Sequence, residues 1–237
     1  MRALEFLSRS NADLVSSPLL SDDRSRQRWI LKTVSRGRRV LDLGCGSGAL
    51  SAKIQDQNNE VLGLEINPKM AAHARRRGIR VKVADLNEGI PVESASFDVV
   101  NAFEILEYIY DSKFLFEECV RVLRPGGLMT LTIHNLNSLE NRLRILSGNY
   151  LHRHGAFPED YYGAHIRLFN LAKVRELAQG VGLTVQEVTG AVPEGVGPVP
   201  NRSFLPTRMV KNSVVRLYPK LAPLLFLKLR KPFVAAL

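Results

Sequence analysis

The chain has 237 residues, of which 45% are hydrophobic and 24% charged, a composition typical of a globular protein that can bury one large core. Its two cysteines are far apart and form no CxxC spacing, which argues against a disulfide framework or a cysteine-based metal site. The net charge of +10 is concentrated at the ends: +5 in residues 1–39, −3 in residues 40–200 and +8 in residues 201–237. Because a nucleic-acid-binding domain more often has basic residues along its whole working face, we expect no nucleic-acid partner. The basic ends fit a solvated surface, an anionic substrate or an anionic membrane surface.

The first residues lack the apolar core and the small-residue cleavage site of a signal peptide. No stretch approaches the roughly 20 apolar residues that a membrane-spanning helix requires. We therefore expect a cytoplasmic protein, a setting that also suits the sparse cysteines.

Up to Asn135 the sequence alternates between helical spacing of apolar residues and short apolar runs. The spacing predicts a helix over Ser25–Val34 and further helices in GALSAKIQDQ, PKMAAHARRRG and SKFLFEECVRV, the last closed by a Pro-Gly-Gly turn. The apolar runs predict strands in RVLDLG, EVLGLEI, IRVKVADL, SFDVVNAF and LMTLTIHN. Strands that alternate with helices of about ten residues predict a parallel sheet covered on both faces.

The alternation stops after Asn135. Residues 136–170 begin as a predicted helix and continue as an aromatic, histidine-rich loop. A helix in LAKVRELAQGVG and a strand in LTVQEVTG follow, and the Pro- and Gly-rich residues 191–207 predict a surface loop. The last segment predicts a helix and then a strand near LLFLKLR. Its apolar, basic and acid-free character also fits a membrane surface, although its prolines would interrupt a long amphipathic helix.

The loop VLDLGCGSG, residues 40–48, places three glycines between a strand and a helix. Ligands of open α/β sheets bind at this place, beyond the carboxyl ends of the strands. Gly44, Gly46 and Ala49 also satisfy the G-x-G-x-x-G/A fingerprint of dinucleotide-binding proteins, so the glycines alone leave NAD open as a ligand.

Three acidic residues narrow the choice. Asp42 lies within the first strand, where a buried carboxylate would oppose a pyrophosphate but would suit an ammonium group. Glu65 ends the second strand, where an acid can accept hydrogen bonds from both ribose hydroxyls. Asp85 ends the third predicted strand, where it can accept from an adenine amino group. An ammonium, a ribose and an adenine together describe S-adenosylmethionine better than NAD.

Four motifs occur in the order found in one family: VLDLGCGSG (40–48), ADLNEGIP (84–91), FDVVNAFEILEYI (97–109) and VLRPGGLMTLTIHN (122–135). With these motifs the sequence resembles the class I S-adenosylmethionine-dependent methyltransferases, in particular the branch that acts on small molecules. HIRLF, residues 165–169, is also usual in that branch. The chain departs from it at Tyr108, where many relatives have histidine.

The resemblance implies a set of cofactor contacts. It implies that Asp42 and the backbone of Gly44, Cys45 and Gly46 hold the methionyl end, and that Glu65 holds the ribose. It further implies that the adenine lies between Ile66 and Asn67, with Asp85 and Leu86 at its edge. Asn101 and Phe103, placed after the fourth strand, would line the pocket near the sulfur. The family's fold also normally ends in a strand antiparallel to the rest of the sheet.

The residues that assist methyl transfer are less clearly marked. A methyltransferase that acts on a hydroxyl group benefits from a general base, and His134 and His165 are the candidates because both fall where the crevice is expected. Glu104 and Glu107 follow the fourth strand, where we favour a structural role over an acid–base pair. His152 and His154 have no carboxylate or cysteine partners at metal-binding spacing, so we expect no metal site.

We predict a single domain with a Rossmann-like, seven-stranded, mostly parallel sheet that has one antiparallel strand and helices on both faces. Its parts are an N-terminal helical segment (1–36), a cofactor-binding core (37–135), a cap (136–170) and a helix–strand completion of the sheet (171–237). The predicted function is transfer of a methyl group from S-adenosylmethionine to a small or lipid-like molecule, preferably at oxygen, and a peripheral membrane contact would suit a lipid-like acceptor. The alternatives are a cofactor-binding scaffold whose basic ends dock on an anionic partner, and an NAD-dependent oxidoreductase. Nucleic-acid methylation is disfavoured because the chain has NAFE where an NPPY-type motif would stand.

Overall fold

The protein is described from a computed structural model, which covers residues 24–148, 165–192, 215 and 217–233. Within these ranges seven strands form one sheet: β1 (Arg39–Leu43), β2 (Glu60–Glu65), β3 (Arg80–Val83), β4 (Phe97–Phe103), β5 (Leu123–His134), β6 (Thr184–Ala191) and β7 (Leu224–Arg230). The same ranges contain six α-helices: α1 (Arg24–Thr33), α2 (Ala49–Gln55), α3 (Pro68–Arg76), α4 (Ser112–Val122), α5 (Leu139–Leu146) and α6 (Leu171–Gly180).

The strands lie in the order β3-β2-β1-β4-β5-β7-β6, and β7 runs antiparallel to both of its neighbours. The remaining neighbouring pairs are parallel. This confirms the predicted seven-stranded sheet with one antiparallel strand. The order reverses between β1 and β4, and a crevice opens beyond the carboxyl ends of the strands at such a reversal.

The central strands are buried on both faces, which explains why their sequences are largely apolar, whereas the edge strands β3 and β6 are more exposed and more polar. Successive side chains of a strand point to opposite faces. Val40 accordingly packs with Ile30 of α1 and Ile54 of α2, whereas Leu41 belongs to the core that contains residues of α4 and α6. Trp29 of α1 also contacts Phe103 and Phe226, with ring centroids 6.2 and 5.3 Å apart.

Several boundaries differ from the prediction. β5 already begins at Leu123 and includes the Pro-Gly-Gly residues that we expected as a turn. Pairing with β4 jumps from Leu123 to Leu128, and Gly126 has φ +75°, so the extra residues form an irregularity inside the strand rather than a loop before it. Where the sequence predicts a helix near the C-terminus, the described residues Val215 and Leu217 are helical, and a 3₁₀ turn follows over Pro219–Leu221.

Segment 136–170, expected as a cap, is described in part. α5 lies within it, and none of the residues of this helix is buried. The strand-like residue Phe169 pairs with Asn135 directly beyond β5. His152 and His154 lie outside the described residues, as do most residues of both basic ends.

Candidate cofactor site

The glycine loop that follows β1 is tied to the end of β2. Gly44 and Gly46 have φ values of +65° and +55°, a region that favours glycine. A Cβ atom on Gly44 would overlap the end of the Ile105 side chain, which would have to move, so the left-handed backbone is the stronger reason for glycine here. The Cys45 amide donates to the Leu64 carbonyl at 3.0 Å. The loop is therefore held in one shape before any ligand binds.

Asp42 is buried beneath this loop and is held by two donors. Ser51 Oγ and Asn101 Nδ2 each lie 2.5 Å from a different oxygen of its carboxyl group. Asn101 is in turn fixed by Thr130, whose hydroxyl donates to its side-chain oxygen at 2.9 Å. Burial raises the pKa of Asp42 to about 6, the two donors oppose the rise, and the nearby Glu65 adds to it.

Glu65, at the end of β2, connects the glycine loop to the start of α3. One of its carboxylate oxygens accepts from the Gly46 amide and the other from the Asn67 amide, both at 2.8 Å. Burial raises the pKa of Glu65, against the effect of these amide donors. Asn67 caps α3 by accepting from the amides of Lys69 and Met70. The predicted site residues Glu65, Ile66 and Asn67 thus follow one another where β2 meets the helix.

The two buried carboxyl groups suit a ligand that carries a cation and hydroxyl donors. Within the described residues neither Asp42 nor Glu65 forms a salt bridge, and a buried carboxylate is unfavourable unless it is paired or hydrogen-bonded. Each carboxylate oxygen accepts more than one hydrogen bond, so Asp42 and Glu65 keep acceptor capacity beyond the donors named above. An ammonium group near Asp42 and two ribose hydroxyls near Glu65 would offset their burial. The residues present therefore fit S-adenosylmethionine.

Asp85 and Leu86 lie just beyond the end of β3. The sequence pattern instead predicts Asp85 at the end of that strand. β3 ends at Val83. The Asp85 carboxylate accepts from the backbone and side-chain nitrogens of Asn87, at 2.9 and 3.0 Å. These local hydrogen bonds stop the strand early because they satisfy the carboxylate in a turn. Leu86 is buried next to this turn.

Asn101 and Phe103 lie within β4, so the prediction that they follow the strand is wrong. β4 extends to Phe103 because the sheet is covered on both faces up to that residue. Asn101 is fully buried, and its side chain is engaged with Asp42 and Thr130. Phe103 packs against Trp29. The residue that directly follows β4 is Glu104.

A second polar cluster lies beyond the ends of β4 and β5. His134 ends β5, and its Nε2 is 3.7 Å from Glu104 Oε1. The same Glu104 oxygen forms an ion pair with Arg26 of α1. The rings of His134 and His165 have centroids 5.5 Å apart, and Tyr108 meets His165 edge-on at 5.0 Å. The two predicted histidines are therefore neighbours.

Glu107 is the buried acid of this second cluster. Its Oε1 accepts from the His134 amide at 2.9 Å, and its backbone carbonyl accepts from the Ile166 amide at 2.9 Å. It thereby joins β5 to the segment that carries His165. Burial raises the pKa of Glu107 to about 8, and the nearby Glu104 adds to the rise. At neutral pH the Glu107 carboxyl group is therefore mostly protonated.

Glu107→Gln is expected to increase the free energy of unfolding at pH 8 while changing it little at pH 4.5. Between these values the unfolded chain releases the Glu107 proton and the folded chain retains it, so wild-type stability falls by about 1.4 kcal/mol for each pH unit from this residue alone. Glutamine keeps the acceptor for the His134 amide and cannot ionise. Urea unfolding of both proteins from pH 4.5 to 8 tests this. A stability difference that does not grow with pH would contradict the assignment.

Arg167, from the same HIRLF stretch as His165, has a structural position. Its Nε donates to the Ile109 carbonyl at 2.9 Å, and one of its terminal nitrogens donates to the Tyr110 carbonyl. These contacts fasten the segment to the chain that follows the Leu106–Tyr108 turn, so the HIRLF motif holds His165 next to Tyr108.

Sequence reasoning missed Arg26 and Ser51, and it favoured a structural role for Glu104 and Glu107 over an acid–base pair. Ser51 lies on α2, nine positions after Asp42, and nothing in the sequence pattern indicates that the two side chains form a hydrogen bond. Arg26 lies in a helix with several basic residues, where its partner 78 positions later could not be identified. The one feature of the sequence that could have indicated the second cluster is the pair of acids, Glu104 and Glu107, that follows an apolar strand.

Within the described residues, no cluster of three or more histidine, cysteine, aspartate or glutamate side chains could hold a metal ion. In the same part of the chain, no helix is long and apolar enough to cross a membrane.

Comparison with known proteins identifies the core of the chain. A family profile described as a methyltransferase domain matches residues 41–131. A protein from Mycolicibacterium smegmatis, named a probable S-adenosylmethionine-dependent methyltransferase, is 34% identical over 155 residues, which are 65% of this chain and 55% of that protein. A ubiquinone biosynthesis O-methyltransferase from Xanthomonas oryzae pv. oryzae is 28% identical over 182 residues, 74% of each chain.

Solved structures of methyltransferases have a similar fold. An S-adenosylmethionine-dependent methyltransferase from Thermotoga maritima superposes with a TM-score of 0.66 at 16% identity, over 96% of this chain and 99% of that one. At this identity the likeness shows the fold alone. The chain spans about half the length of the M. smegmatis relative. The profile match covers the glycine loop, Glu65 and all of β4, which favours S-adenosylmethionine over NAD as the ligand.

Proposed function

We propose that this chain is a class I S-adenosylmethionine-dependent methyltransferase, as its similarity to that family supports, and that it methylates a hydroxyl group of a small or lipid-like molecule. The observation that carries the proposal is the placement of His134 at the end of β5, with Glu104 and Glu107 around it. Nucleophilic attack by a hydroxyl group is assisted by a base that takes its proton, and histidine is the side chain best suited to this at neutral pH.

The proposed cofactor contacts follow the geometry of the first cluster. Asp42 faces the ammonium group, the amides of the Gly44–Gly46 loop surround the methionyl end, and Glu65 accepts from the ribose. Ile66, Asn67, Asp85 and Leu86 surround the adenine. When bound, S-adenosylmethionine would supply a sulfonium methyl group for in-line transfer, with the thioether sulfur as the leaving group.

The chain's own contribution is orientation and proton transfer. Most of the acceleration of such a displacement comes from holding the two reactants in line, and the preformed glycine loop and the anchored end of β5 serve this purpose. His134 takes the hydroxyl proton as the new carbon–oxygen bond forms. The ring of His165 lies 5.5 Å from that of His134, between centroids, and would contact the acceptor beside it. The proton then passes from His134 to solvent.

The nature of the acceptor is supported by two observations. Ile166 and Leu168 are exposed at 50% and 41% of their surface, so apolar surface adjoins His165, whose ring neighbours that of the proposed base. The X. oryzae relative is named an O-methyltransferase of ubiquinone biosynthesis, a name that joins hydroxyl methylation to a lipid-like product. These observations favour an acceptor with a hydroxyl group on a largely apolar body.

A panel of matched compounds tests this proposal. Each phenol or hydroxylated lipid is offered beside its amine counterpart and its already methylated ether, and release of S-adenosylhomocysteine is measured. We expect turnover with members of the hydroxyl set and none with the ethers. Turnover confined to amines would contradict oxygen as the acceptor. Cofactor binding with no turnover on any compound would favour a cofactor-binding scaffold.

A further inference from the structure

A row of polar side chains crosses the middle of the sheet beside the glycine loop. Asp42 of β1 is paired with Asn101 of β4, and Asn101 with Thr130 of β5, so the three residues share one face of three neighbouring strands. Ser51 reaches the same row from α2, one of the helices that cover this face. All four residues are buried, with 4% of Asp42 and 0% of the other three exposed.

The neighbouring row on the same face is apolar. Two positions earlier on each strand, the paired residues are Val40, Val99 and Leu128, and all three lie in the core that α1 and α2 cover. Apolar side chains would therefore close the sheet at the next row as well. The polar row instead lies where the chain enters the glycine loop, two positions before Gly44. Its placement indicates that the polar groups serve the ligand site rather than the packing of the sheet.

The hydrogen bonds of this row run in one direction, towards Asp42. The Thr130 hydroxyl has one proton, and the Asn101 side-chain oxygen, at 2.9 Å, is a nearer acceptor than the Val100 carbonyl, at 3.5 Å. The amide nitrogen of Asn101 therefore faces Asp42, and the Ser51 hydroxyl donates to the other carboxylate oxygen. Both oxygens of Asp42 receive a donor, an arrangement that stabilises the ionised form.

The charged and titratable groups around Asp42 set its protonation state against these donors. Glu65, from β2, disfavours a second negative charge, and burial does the same, so the pKa of Asp42 is about 6. Cys45, from the glycine loop, is uncharged because burial raises the pKa of its thiol. Among the described residues, no cation forms a salt bridge with Asp42. The two donors are therefore what holds this carboxyl group ionised at neutral pH.

We propose that Ser51, Asn101 and Thr130 are positioning residues that keep Asp42 ionised for the ammonium group of the cofactor, and that protonation of Asp42 weakens binding of ligands that carry this group. The inference rests on the proposed function, in which Asp42 faces the ammonium. It gives Asn101 a role towards Asp42 in place of the predicted one near the sulfur. It also implies a selectivity, because a nucleoside without an ammonium group gains nothing from the charge on Asp42.

Two ligands that differ in the ammonium group test the proposal by calorimetry from pH 5.5 to 7.5. S-adenosylhomocysteine carries the amino-acid part of the cofactor, whereas 5′-methylthioadenosine has the same nucleoside and thioether without it. The ratio of their affinities cancels the titration of Glu65, which faces the ribose of both. In wild type we expect this ratio to fall about fourfold between pH 7.5 and 5.5, as Asp42 takes up its proton. In Asp42→Asn the ratio should be low and independent of pH.

Ser51→Ala removes one donor and should move this fall upward by about one pH unit. The affinity ratio should then be about eightfold below that of wild type at pH 5.5 and close to it at pH 7.5. Thr130→Val, which releases the Asn101 amide, should move the fall in the same direction. Ser112→Ala is the matched control: Ser112 is a buried serine of α4 whose hydroxyl has no hydrogen-bond partner among the described residues, and this variant should follow wild type.

The outcomes separate this inference from the function on which it rests. A loss of affinity in Ser51→Ala that is equal for both ligands and independent of pH would show a structural role alone and overturn the inference. Parallel pH dependences of the two ligands in wild type would overturn it too, while leaving the cofactor assignment intact. If Ser51→Ala does not fold, Thr130→Val decides, and an unmoved fall there is equally contrary. Failure of wild type to bind S-adenosylhomocysteine at pH 7.5 would instead contradict the proposed function, and the inference with it.

Discussion

Glu65→Ala is expected to weaken S-adenosylmethionine binding by about 100-fold while the fold is retained. In the proposed complex the Glu65 carboxylate accepts from two ribose hydroxyls. Hydrogen bonds to a charged group contribute about 1.5–3 kcal/mol each, so losing both costs about 3 kcal/mol or more, which corresponds to about 100-fold in Kd. The amides of Gly46 and Asn67 also lose their acceptor, which adds to the loss by loosening the glycine loop.

Isothermal titration calorimetry measures this loss, and circular dichroism checks the fold. β2 supplies its own control, since it begins at the exposed Glu60 and ends at the buried Glu65. Glu60→Ala removes the same side chain from the far end of the same strand, away from the crevice, and should bind the cofactor like wild type. Equal affinities for the Glu65 and Glu60 variants would remove Glu65 from the site.

His134→Gln is expected to lower kcat by a factor of 10² to 10⁴, the usual contribution of a general base. Glutamine is close to histidine in size and keeps the backbone amide that donates to Glu107, so the β5 end should stay in place. Cofactor affinity should change little, because His134 belongs to the second cluster rather than to the one that contains Asp42 and Glu65. The measurement is the steady-state rate on an acceptor found in the hydroxyl panel.

His73→Gln is the matched control for this variant, since His73 is a partly exposed histidine on α3. It should leave kcat unchanged. A His134→Gln protein with a wild-type rate would show that the acceptor loses its proton without help from this imidazole. A loss of cofactor binding together with the rate would instead move His134 into the cofactor site.

The sheet could be predicted because its cause is local. A strand buried on both faces has to be continuously apolar, and the runs around Val40, Val61, Val99 and Met129 show this directly. The final strand was also predicted correctly, and β7 takes its place between β5 and β6. The boundary error at Asp85 arose where side-chain hydrogen bonds, rather than local propensity, accompany the end of a strand.

The first cluster was predictable for the same reason. Asp42 lies in the strand that leads into the glycine loop and Glu65 ends the next strand, so their types and positions alone indicate a ligand. What the sequence left open is their protonation state. Burial raises the pKa of both carboxyl groups; hydrogen bonds from Ser51 and Asn101 lower that of Asp42, and backbone amides such as that of Gly46 lower that of Glu65. Those partners come together through the sheet order, which the sequence pattern does not state.

The second cluster was less predictable because it depends on long-range contacts. Arg26 and Glu104 are 78 positions apart, and His134 lies a further 30 positions along the chain. The left-handed backbone at Glu104 arises from two hydrogen bonds to Thr132, which no local pattern indicates. A glutamate in that conformation became recognisable as a functional candidate only from the fold.

The most direct test of the central claim follows the methyl group itself. The protein is incubated with S-adenosylmethionine that carries a ¹³C-labelled methyl group and with the best acceptor of the panel, and the product is analysed by ¹³C NMR and mass spectrometry. We predict one labelled methyl group bonded to oxygen of the acceptor, formed by wild type and nearly absent with His134→Gln. A labelled methyl group on nitrogen or carbon, or a product that forms equally well with His134→Gln, would contradict the account.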